Sequence, residues 1–221
     1  MIIQDRDIRL AIFDLDGTLI DSTTLWDEID VRFFAKRGME VPPNYGKRIA
    51  HMGLKTGANW TKQTFLPNES ADDILQEWKD ACRHAYEEEL PLKLGAINAL
   101  QALKDRGVSL AVATANAREF YEPCLKRLGI YDYFEHILDV NAIDSGKDSS
   151  KIYDLLSGRF GLSAENVLVL EDTFGPMATA LSAGYLVAGV YDDKSSFHPE
   201  DYAGKCSFFI PSWEDFIAKL S

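Results

Sequence analysis

Short apolar runs and helically spaced apolar residues alternate along most of this chain, with glycines between them. The apolar runs predict strands over residues 8–13, 108–114, 136–140, 167–170, 186–190 and 207–210. Between the strands, apolar residues recur at helical spacing, for example at Ile97, Leu100 and Leu103. This alternation predicts an α/β fold in which helices cover both faces of a doubly wound parallel sheet.

Residues 21–90 break the alternation, because they show helical spacing and no convincing strand. They follow directly after the first predicted strand, so they are expected to form a compact helical domain inserted into the α/β core. The predicted domains are therefore a core of residues 1–20 and 91–221 and a helical insertion of residues 21–90.

Three helical stretches are predicted inside the insertion. The first contains Trp26, and the second begins near Asn44 and is expected to be interrupted at Gly53 and Gly57. The third follows Ser70, whose hydroxyl suits the N-cap of a helix.

Composition narrows the possible functions. Hydrophobic residues make up 46% of the 221 residues and charged residues 26%, which is typical of a folded globular protein. Lys and Arg total 23 against 35 Asp and Glu, a net charge of −12 that argues against binding nucleic acids or anionic membranes non-specifically. No apolar run approaches the ~20 residues that span a bilayer, and no apolar signal core stands near the start. Three widely spaced cysteines are typical of free thiols, so a cytoplasmic protein is expected.

Four of the predicted strands lead to residues suited to metal or phosphate chemistry. The carboxyl ends of parallel strands meet at one edge of a doubly wound sheet, where ligands bind, so these residues are expected to lie together. In chain order they are Asp14 and Asp16, then Thr114, Ala115 and Asn116, then Lys147, and finally Glu171 and Asp172.

This set can hold a phosphate and a divalent cation. Asp14, Asp172 and Glu171 offer the hard oxygen ligands by which Mg²⁺ is usually held. Lys147 would neutralise phosphate charge, and Thr114 with nearby backbone amides could bind the phosphate oxygens.

The first two carboxylates also suit covalent phosphoryl transfer. A carboxylate can attack phosphorus to give an aspartyl-phosphate, and Asp14 is the candidate because it comes first after the strand. Asp16 could protonate the leaving oxygen and then deprotonate water.

The chain resembles the haloacid dehalogenase superfamily at all four signature motifs: Asp14-Leu15-Asp16-Gly17-Thr18, Thr114, Lys147 and Glu171-Asp172. The surrounding segments FDLDGTLIDS, LAVATAN, SGK and VLVLEDTFGPMATALSAG also match, so the resemblance covers nearly the whole chain. It implies a Rossmann-like core with a helical cap inserted after the first motif.

The resemblance implies a role for each motif residue. Asp14 would be the nucleophile and a Mg²⁺ ligand, and Asp16 the acid and base, with its carbonyl also on the metal. Asp172 would be a further ligand, and Glu171 would act on the metal directly or through water. Thr114 and Lys147 would bind the phosphate. Ala115 and Asn116, which follow Thr114, are predicted to bind phosphate as well.

Two positions of the motifs carry further information. An Asp two residues after the nucleophile is typical of phosphatases and phosphomutases in this superfamily, so Asp16 argues against dehalogenase and phosphonatase activity.

Members often read Gly-Lys-Pro at the third motif, whereas this chain has Asp148 after Lys147 and a rival lysine at Lys151. Lys147 is preferred because it directly follows a glycine and precedes a helix.

Substrate contacts are expected mainly from the cap. The candidates are Trp26, His51, Lys55 and, after the second motif, Arg118. The alternatives are core packing for Trp26 and a solvated or locally bonded side chain for His51 and Lys55. In β-phosphoglucomutases a His falls near the place of Trp26, which argues against that activity without excluding it.

These observations predict a Mg²⁺-dependent phosphatase that hydrolyses a small phosphorylated metabolite through an aspartyl-phosphate. Two alternatives stay open: a sugar phosphomutase of the β-phosphoglucomutase type, and a non-catalytic binding protein with the same fold. The sequence leaves the substrate open, and it leaves the oligomeric state open between monomer and homodimer.

Overall fold

A computed structural model describes residues 1–49, 52, 54–143 and 146–220. The chain forms two compact units, a sheet unit of Met1–Thr23 and Leu90–Ser221 and a helical unit of Thr24–Glu89. The sheet unit extends to Thr23 and not only to the predicted residue 20, because residues 20 and 21 are still bonded to the segment by which the chain re-enters the sheet unit after Glu89. Ile20 forms an antiparallel bridge with Leu92, and the Asp21 N–H donates to the Pro91 carbonyl at 3.0 Å.

The sheet unit opens with a small antiparallel hairpin, β1 (Ile2–Ile3) and β2 (Arg6–Asp7), which the hydrophobic pattern does not predict. Strand β3 (Leu10–Phe13) follows, and all of its residues are buried. Ile8, predicted as the first strand residue, is also buried, but its N–H donates to the Met1 carbonyl instead of joining the main sheet.

The helical unit contains α1 (Leu25–Ala35), α2 (Tyr45–Ile49), α3 (Leu54–Phe65) and α4 (Ala71–His84), which continues as a π-helical turn (Ala85–Glu89). The predicted N-cap is confirmed, because the Ser70 hydroxyl accepts a hydrogen bond from the Asp72 N–H at 3.2 Å. Edge-to-face aromatic contacts form the core of this unit, joining Phe33 to Phe34 and Trp78, and Phe34 to Tyr45.

Gly57 lies inside α3, so the predicted interruption at this residue is wrong. A Cβ at Gly57 would lie 3.6 Å from the Trp78 ring, which is ordinary van der Waals contact, so close packing does not require a glycine at this position. Glycine costs about 1 kcal/mol relative to alanine inside a helix, and the packing of α3 against α4 outweighs that preference. Gly53 lies outside the described residues.

The sheet unit resumes with alternating helices and strands. In chain order these are α5 (Ala96–Asp105), β4 (Ser109–Thr114), α6 (Arg118–Arg127), β5 (His136–Asp139), α7 (Val140–Ile143), α8 (Lys151–Arg159), β6 (Val167–Glu171), α9 (Phe174–Ser182), β7 (Leu186–Val190), β8 (Phe208–Ile210) and α10 (Trp213–Ala218). The predicted apolar face of α5 is partly wrong. Leu100 and Leu103 are buried, but Ile97 is 40% exposed and the small residues Ala96 and Ala99 take its place in the core.

Strands β3 to β8 form one parallel sheet in the order β5-β4-β3-β6-β7-β8. The predicted fold class, a Rossmann-like doubly wound α/β core with an inserted helical domain, is confirmed. The chain runs outward from β3 in one direction through β4 and β5, then returns to the other side of β3 as β6. Such a reversal creates a crevice at the carboxyl ends of the two central strands. Among the described residues, no helix is both long and apolar enough to cross a bilayer.

Candidate active site

Strand register brings the first and fourth motifs together at this crevice. Phe13 pairs with Leu170, so Asp14 leaves β3 level with Glu171, the last residue of β6. The Asp14 N–H donates to the Leu170 carbonyl at 3.0 Å and extends the ladder by one bond. Asp14, Glu171 and Asp172 are all buried, and each offers a carboxylate oxygen within 4.8 Å of the others. We call these three residues the acidic cluster.

Lys147 is the lysine that lies on the acidic cluster. Its ammonium donates to Oδ1 of Asp14 and, at 2.7 Å, to Oε1 of Glu171. Burial alone would lower the pKa of Lys147, but the charges of Asp14 and Glu171 outweigh it and raise the pKa above the usual value. The rival Lys151 donates to the Ile143 carbonyl at 2.7 Å.

The acidic cluster carries more negative charge than one lysine offsets. Burial, together with the neighbouring carboxylates, raises the pKa of Asp14 although Lys147 opposes the rise. Burial and the charge of Glu171 raise the pKa of Asp172 to about 7. Grouped carboxylate oxygens with excess negative charge are the donor set that hard divalent cations prefer, so these residues fit a metal ion.

The Asp16 carboxylate accepts hydrogen bonds from two neutral side chains. The Ser22 hydroxyl donates to its Oδ1 at 2.8 Å, and the Asn116 side-chain amide donates to its Oδ2 at 3.0 Å. Asn116 is predicted from sequence as a phosphate-binding residue, and Ser22 is not predicted as a site residue at all. The structure therefore connects the second motif to Asp16, and local spacing gives no sign of that contact.

The second motif is itself locally ordered. Thr114 is the buried last residue of β4. Its hydroxyl accepts a hydrogen bond from the Asn116 N–H at 3.0 Å. Asn116 in turn accepts from the Ala117 N–H at 2.8 Å. Ala115 lies exposed between them. This turn orients the Asn116 side chain toward Asp16.

The Gly17 turn packs directly against the acidic cluster. Gly17 has φ +80°, which favours glycine, and a Cβ there would lie 2.5 Å from Oδ2 of Asp172. The next residue, Thr18, donates its hydroxyl to Oδ1 of Asp172 at 3.1 Å. The Gly-Thr pair of the first motif thus holds a carboxylate of the fourth, a role that sequence reasoning missed.

Four residues predicted to contact substrate remain. Arg118 is exposed on α6 and forms an ion pair with Glu122 on the same helix. Trp26 and Lys55 are exposed residues of the helical unit, on α1 and α3. His51 lies outside the described residues. Substrate contact by these four residues stays a prediction.

Comparison with known proteins identifies the family. The model of the haloacid dehalogenase-like hydrolases matches residues 8–184. This chain belongs to that family. The match confirms the resemblance found in the sequence and the prediction that the protein is a hydrolase.

Named relatives cover most of the chain. It is 26% identical over 177 residues to a phosphorylated carbohydrates phosphatase of Thermotoga maritima, with 80% of this chain and 82% of the relative aligned. It is 26% identical over 184 residues to hexitol phosphatase B of Escherichia coli K12, covering 80% and 81%.

Solved structures support the fold. A β-phosphoglucomutase-like protein of Thermotoga maritima aligns with a TM-score of 0.84 at 23% identity, over 96% of this chain and 98% of that one. CbbY from Rhodobacter sphaeroides, solved in complex with phosphate, aligns with a TM-score of 0.73 at 21% identity, covering 96% and 99%.

Proposed function

We propose that this protein is a Mg²⁺-dependent phosphatase that hydrolyses a small phosphorylated metabolite through an aspartyl-phosphate on Asp14. The observation that carries the proposal is the acidic cluster with Lys147 bound to it, at the carboxyl ends of the two central strands. Asp16, two residues beyond Asp14, accepts hydrogen bonds from Ser22 and Asn116. The first motif thus offers one carboxylate for attack and another for proton transfer.

The acidic cluster would hold the metal ion, with Asp14 and Asp172 as ligands and Glu171 acting directly or through water. A bound Mg²⁺ would offset the charge of the carboxylates and of the substrate phosphate. Lys147 restrains one oxygen of Asp14. Among the described residues, no hydrogen bond reaches the second oxygen, Oδ2, which is therefore the oxygen we assign to attack on phosphorus.

The reaction divides into two displacements. In the first, Oδ2 of Asp14 bonds to phosphorus, the bond from phosphorus to the leaving oxygen breaks, and Asp16 gives that oxygen its proton. In the second, Asp16 takes a proton from water, the water oxygen bonds to phosphorus, and Asp14 is released with inorganic phosphate. Backbone amides of the turn at 114–116 and Lys147 would bind the phosphate oxygens.

The named relatives support this substrate class, since both act on phosphorylated carbohydrates or hexitols by their names. We infer that the helical unit serves as the cap that selects the substrate, with Trp26, His51 and Lys55 as candidate contacts. Cap movement about the paired segments near Ile20 and Leu92 would then admit substrate and release product.

The test is phosphate release from a panel of phosphorylated sugars and polyols in the presence of Mg²⁺. We expect turnover that EDTA abolishes and added Mg²⁺ restores, and we expect Asp14→Asn to lose activity by orders of magnitude. Asp132→Asn, an exposed aspartate of the sheet unit, is the matched control and should keep full activity. Metal-independent turnover would refute the metal assignment, and an active Asp14→Asn variant would refute the covalent mechanism.

The same panel separates the alternatives. A phosphomutase would isomerise a sugar phosphate with little release of inorganic phosphate. A non-catalytic binding protein would turn over none of the esters.

A further inference from the structure

A second buried charged pair lies beside the acidic cluster, and the proposed reaction does not use it. The Asp192 side chain is 0% exposed and that of Lys93 is 12% exposed. The Lys93 ammonium lies 3.4 Å from Oδ1 of Asp192 and donates to two backbone carbonyls, that of Gly17 at 2.7 Å and that of Tyr191 at 3.2 Å. Gly17 is the glycine that packs against Asp172.

Both oxygens of Asp192 are satisfied. Oδ1 accepts from the Lys194 N–H at 2.9 Å, and Oδ2 accepts from the Thr23 hydroxyl. Removing the two charges of an ion pair from water is unfavourable, so a buried pair is weak evidence for a stabilising role. A fully bonded buried network does, however, hold its members rigidly in one arrangement. The main effect of this network is therefore to fix the positions of the groups that it bonds, and the energy that it contributes to folding is secondary.

One such position is that of the Gly17 peptide. A Cβ on Gly17 would lie 2.5 Å from Oδ2 of Asp172 and 3.3 Å from Oδ2 of Asp192, so the turn is packed between the two carboxylates. The residue before it is Asp16 and the residue after it is Thr18, which donates to Asp172. A shift of the Gly17 carbonyl would therefore displace a proposed acid–base residue and the support of a proposed metal ligand together.

The same network binds both segments that join the sheet unit to the helical unit. Thr23 is the last residue of the sheet unit before the helical unit begins, and Lys93 follows shortly after the chain returns at Leu90. The Lys93 N–H also donates to the Leu19 carbonyl at 2.9 Å. Asp192 thus connects the two joining segments to the turn that carries Asp16.

We propose that Lys93, anchored on Asp192, is a positioning residue that holds the Gly17 carbonyl and thereby places Asp16 and Thr18 relative to Asp172. Its kinetic consequence rests on the proposed phosphatase function. Its structural consequence, a rigid Gly17 turn, does not depend on that function.

The experiment removes the ammonium without leaving a buried charge behind. Lys93→Met alone would leave Asp192 unpaired and could unfold the chain, so the decisive variant is the double substitution Lys93→Met with Asp192→Asn. Met keeps the apolar stem, and Asn can still bond to Thr23 and to the Lys194 N–H. Lys194→Met is the matched control, because the Lys194 ammonium donates to Asp21 and not to Gly17.

Three measurements are made on the wild type, the double variant and the control. Hydrogen exchange in EDTA follows the peptide covering residues 14–20, calorimetry gives Mg²⁺ affinity, and para-nitrophenyl phosphate hydrolysis gives kcat and KM. In the folded double variant we expect at least ~10-fold faster exchange in that peptide. We also expect a loss of about 10- to 100-fold in Mg²⁺ affinity or kcat with KM changed less than ~3-fold, the usual effect of removing a residue that supports metal ligands.

If the folded double variant shows the same hydrogen exchange, Mg²⁺ affinity and kcat as the wild type, the proposal is overturned. The same losses in Lys194→Met would also overturn it, because they would show a general effect of removing a nearby ammonium. If the wild type itself hydrolyses no phosphate ester, the proposed function fails, while exchange and Mg²⁺ affinity still decide whether Lys93 positions the turn.

Discussion

Asp30, on α1 of the helical unit, should make the stability of the protein depend on pH. The residue is 3% exposed, and among the described residues no hydrogen bond or ion pair reaches its carboxylate. It lines a cavity whose walls include Trp26, Met52 and Trp78. Burial, with a smaller contribution from the charge of Asp27, raises the pKa of Asp30 from 3.8 to about 7.

The sign follows from which state binds the proton more tightly. Well below pH 3.8 the carboxyl is protonated in both the folded and the unfolded chain, and folding carries no charge penalty at this residue. As pH rises from about 4 to 7, the unfolded chain loses its proton while the folded chain keeps it, so the free energy of unfolding falls. Above pH 7 both states are ionised and the full penalty applies, about 4 kcal/mol at ~1.4 kcal/mol per pKa unit.

Asp30→Asn removes this titration and keeps the size of the side chain. Relative to the wild type, the variant should gain about 3 kcal/mol in free energy of unfolding between pH 5 and pH 8. Other titrating groups affect both proteins equally, so they cancel in the difference. Urea unfolding at the two pH values measures it, and Asp73→Asn, an exposed aspartate of α4, is the control that should show no such gain. If the free energies of unfolding of Asp30→Asn and the wild type differ by the same amount at pH 5 and at pH 8, the assignment of a buried, unpaired carboxyl is refuted.

Two further predictions concern single contacts. Gly17→Ala places a Cβ 2.5 Å from Oδ2 of Asp172 at a φ of +80°, so we expect at least ~10-fold weaker Mg²⁺ binding by calorimetry; unchanged affinity would contradict the packing described for this turn. Arg37→Met removes a guanidinium that forms two hydrogen bonds to Glu69, two to Glu77 and one to the Phe33 carbonyl, so urea unfolding should show a loss of about 2 kcal/mol. A loss below ~0.5 kcal/mol would mean that solvent screens the ion pairs.

The residues of the first and fourth motifs could be found from sequence because their signal is local. A buried strand that ends in carboxylates is recognisable from adjacent positions, as at Phe13 and Asp14 or at Leu170 and Glu171. Parallel topology then places those strand ends at one edge, which is a general rule and requires no coordinates. The prediction that Ile97 is buried was wrong. Helical spacing shows that apolar residues share one face of a helix, but it does not show which residues of that face pack against the sheet.

Contacts between distant segments needed the tertiary structure. The sequence contains both Lys147 and Lys151, and only the fold shows which ammonium lies on Asp14. The donors that hold Asp16 come from residues 6 and 100 positions away, Ser22 and Asn116, and neither distance follows from a motif.

By itself, the sequence determined the α/β alternation, the inserted helical block and the family, since each depends on the order of residues along the chain. The tertiary structure alone decided that Asp14 lies level with Glu171, that Gly17 is packed between Asp172 and Asp192, and that Lys93 reaches the Gly17 carbonyl. The physical reason is that strand register and the path of the joining segments result from the packing of the whole core. Side chains far apart in the sequence meet only after that packing is complete.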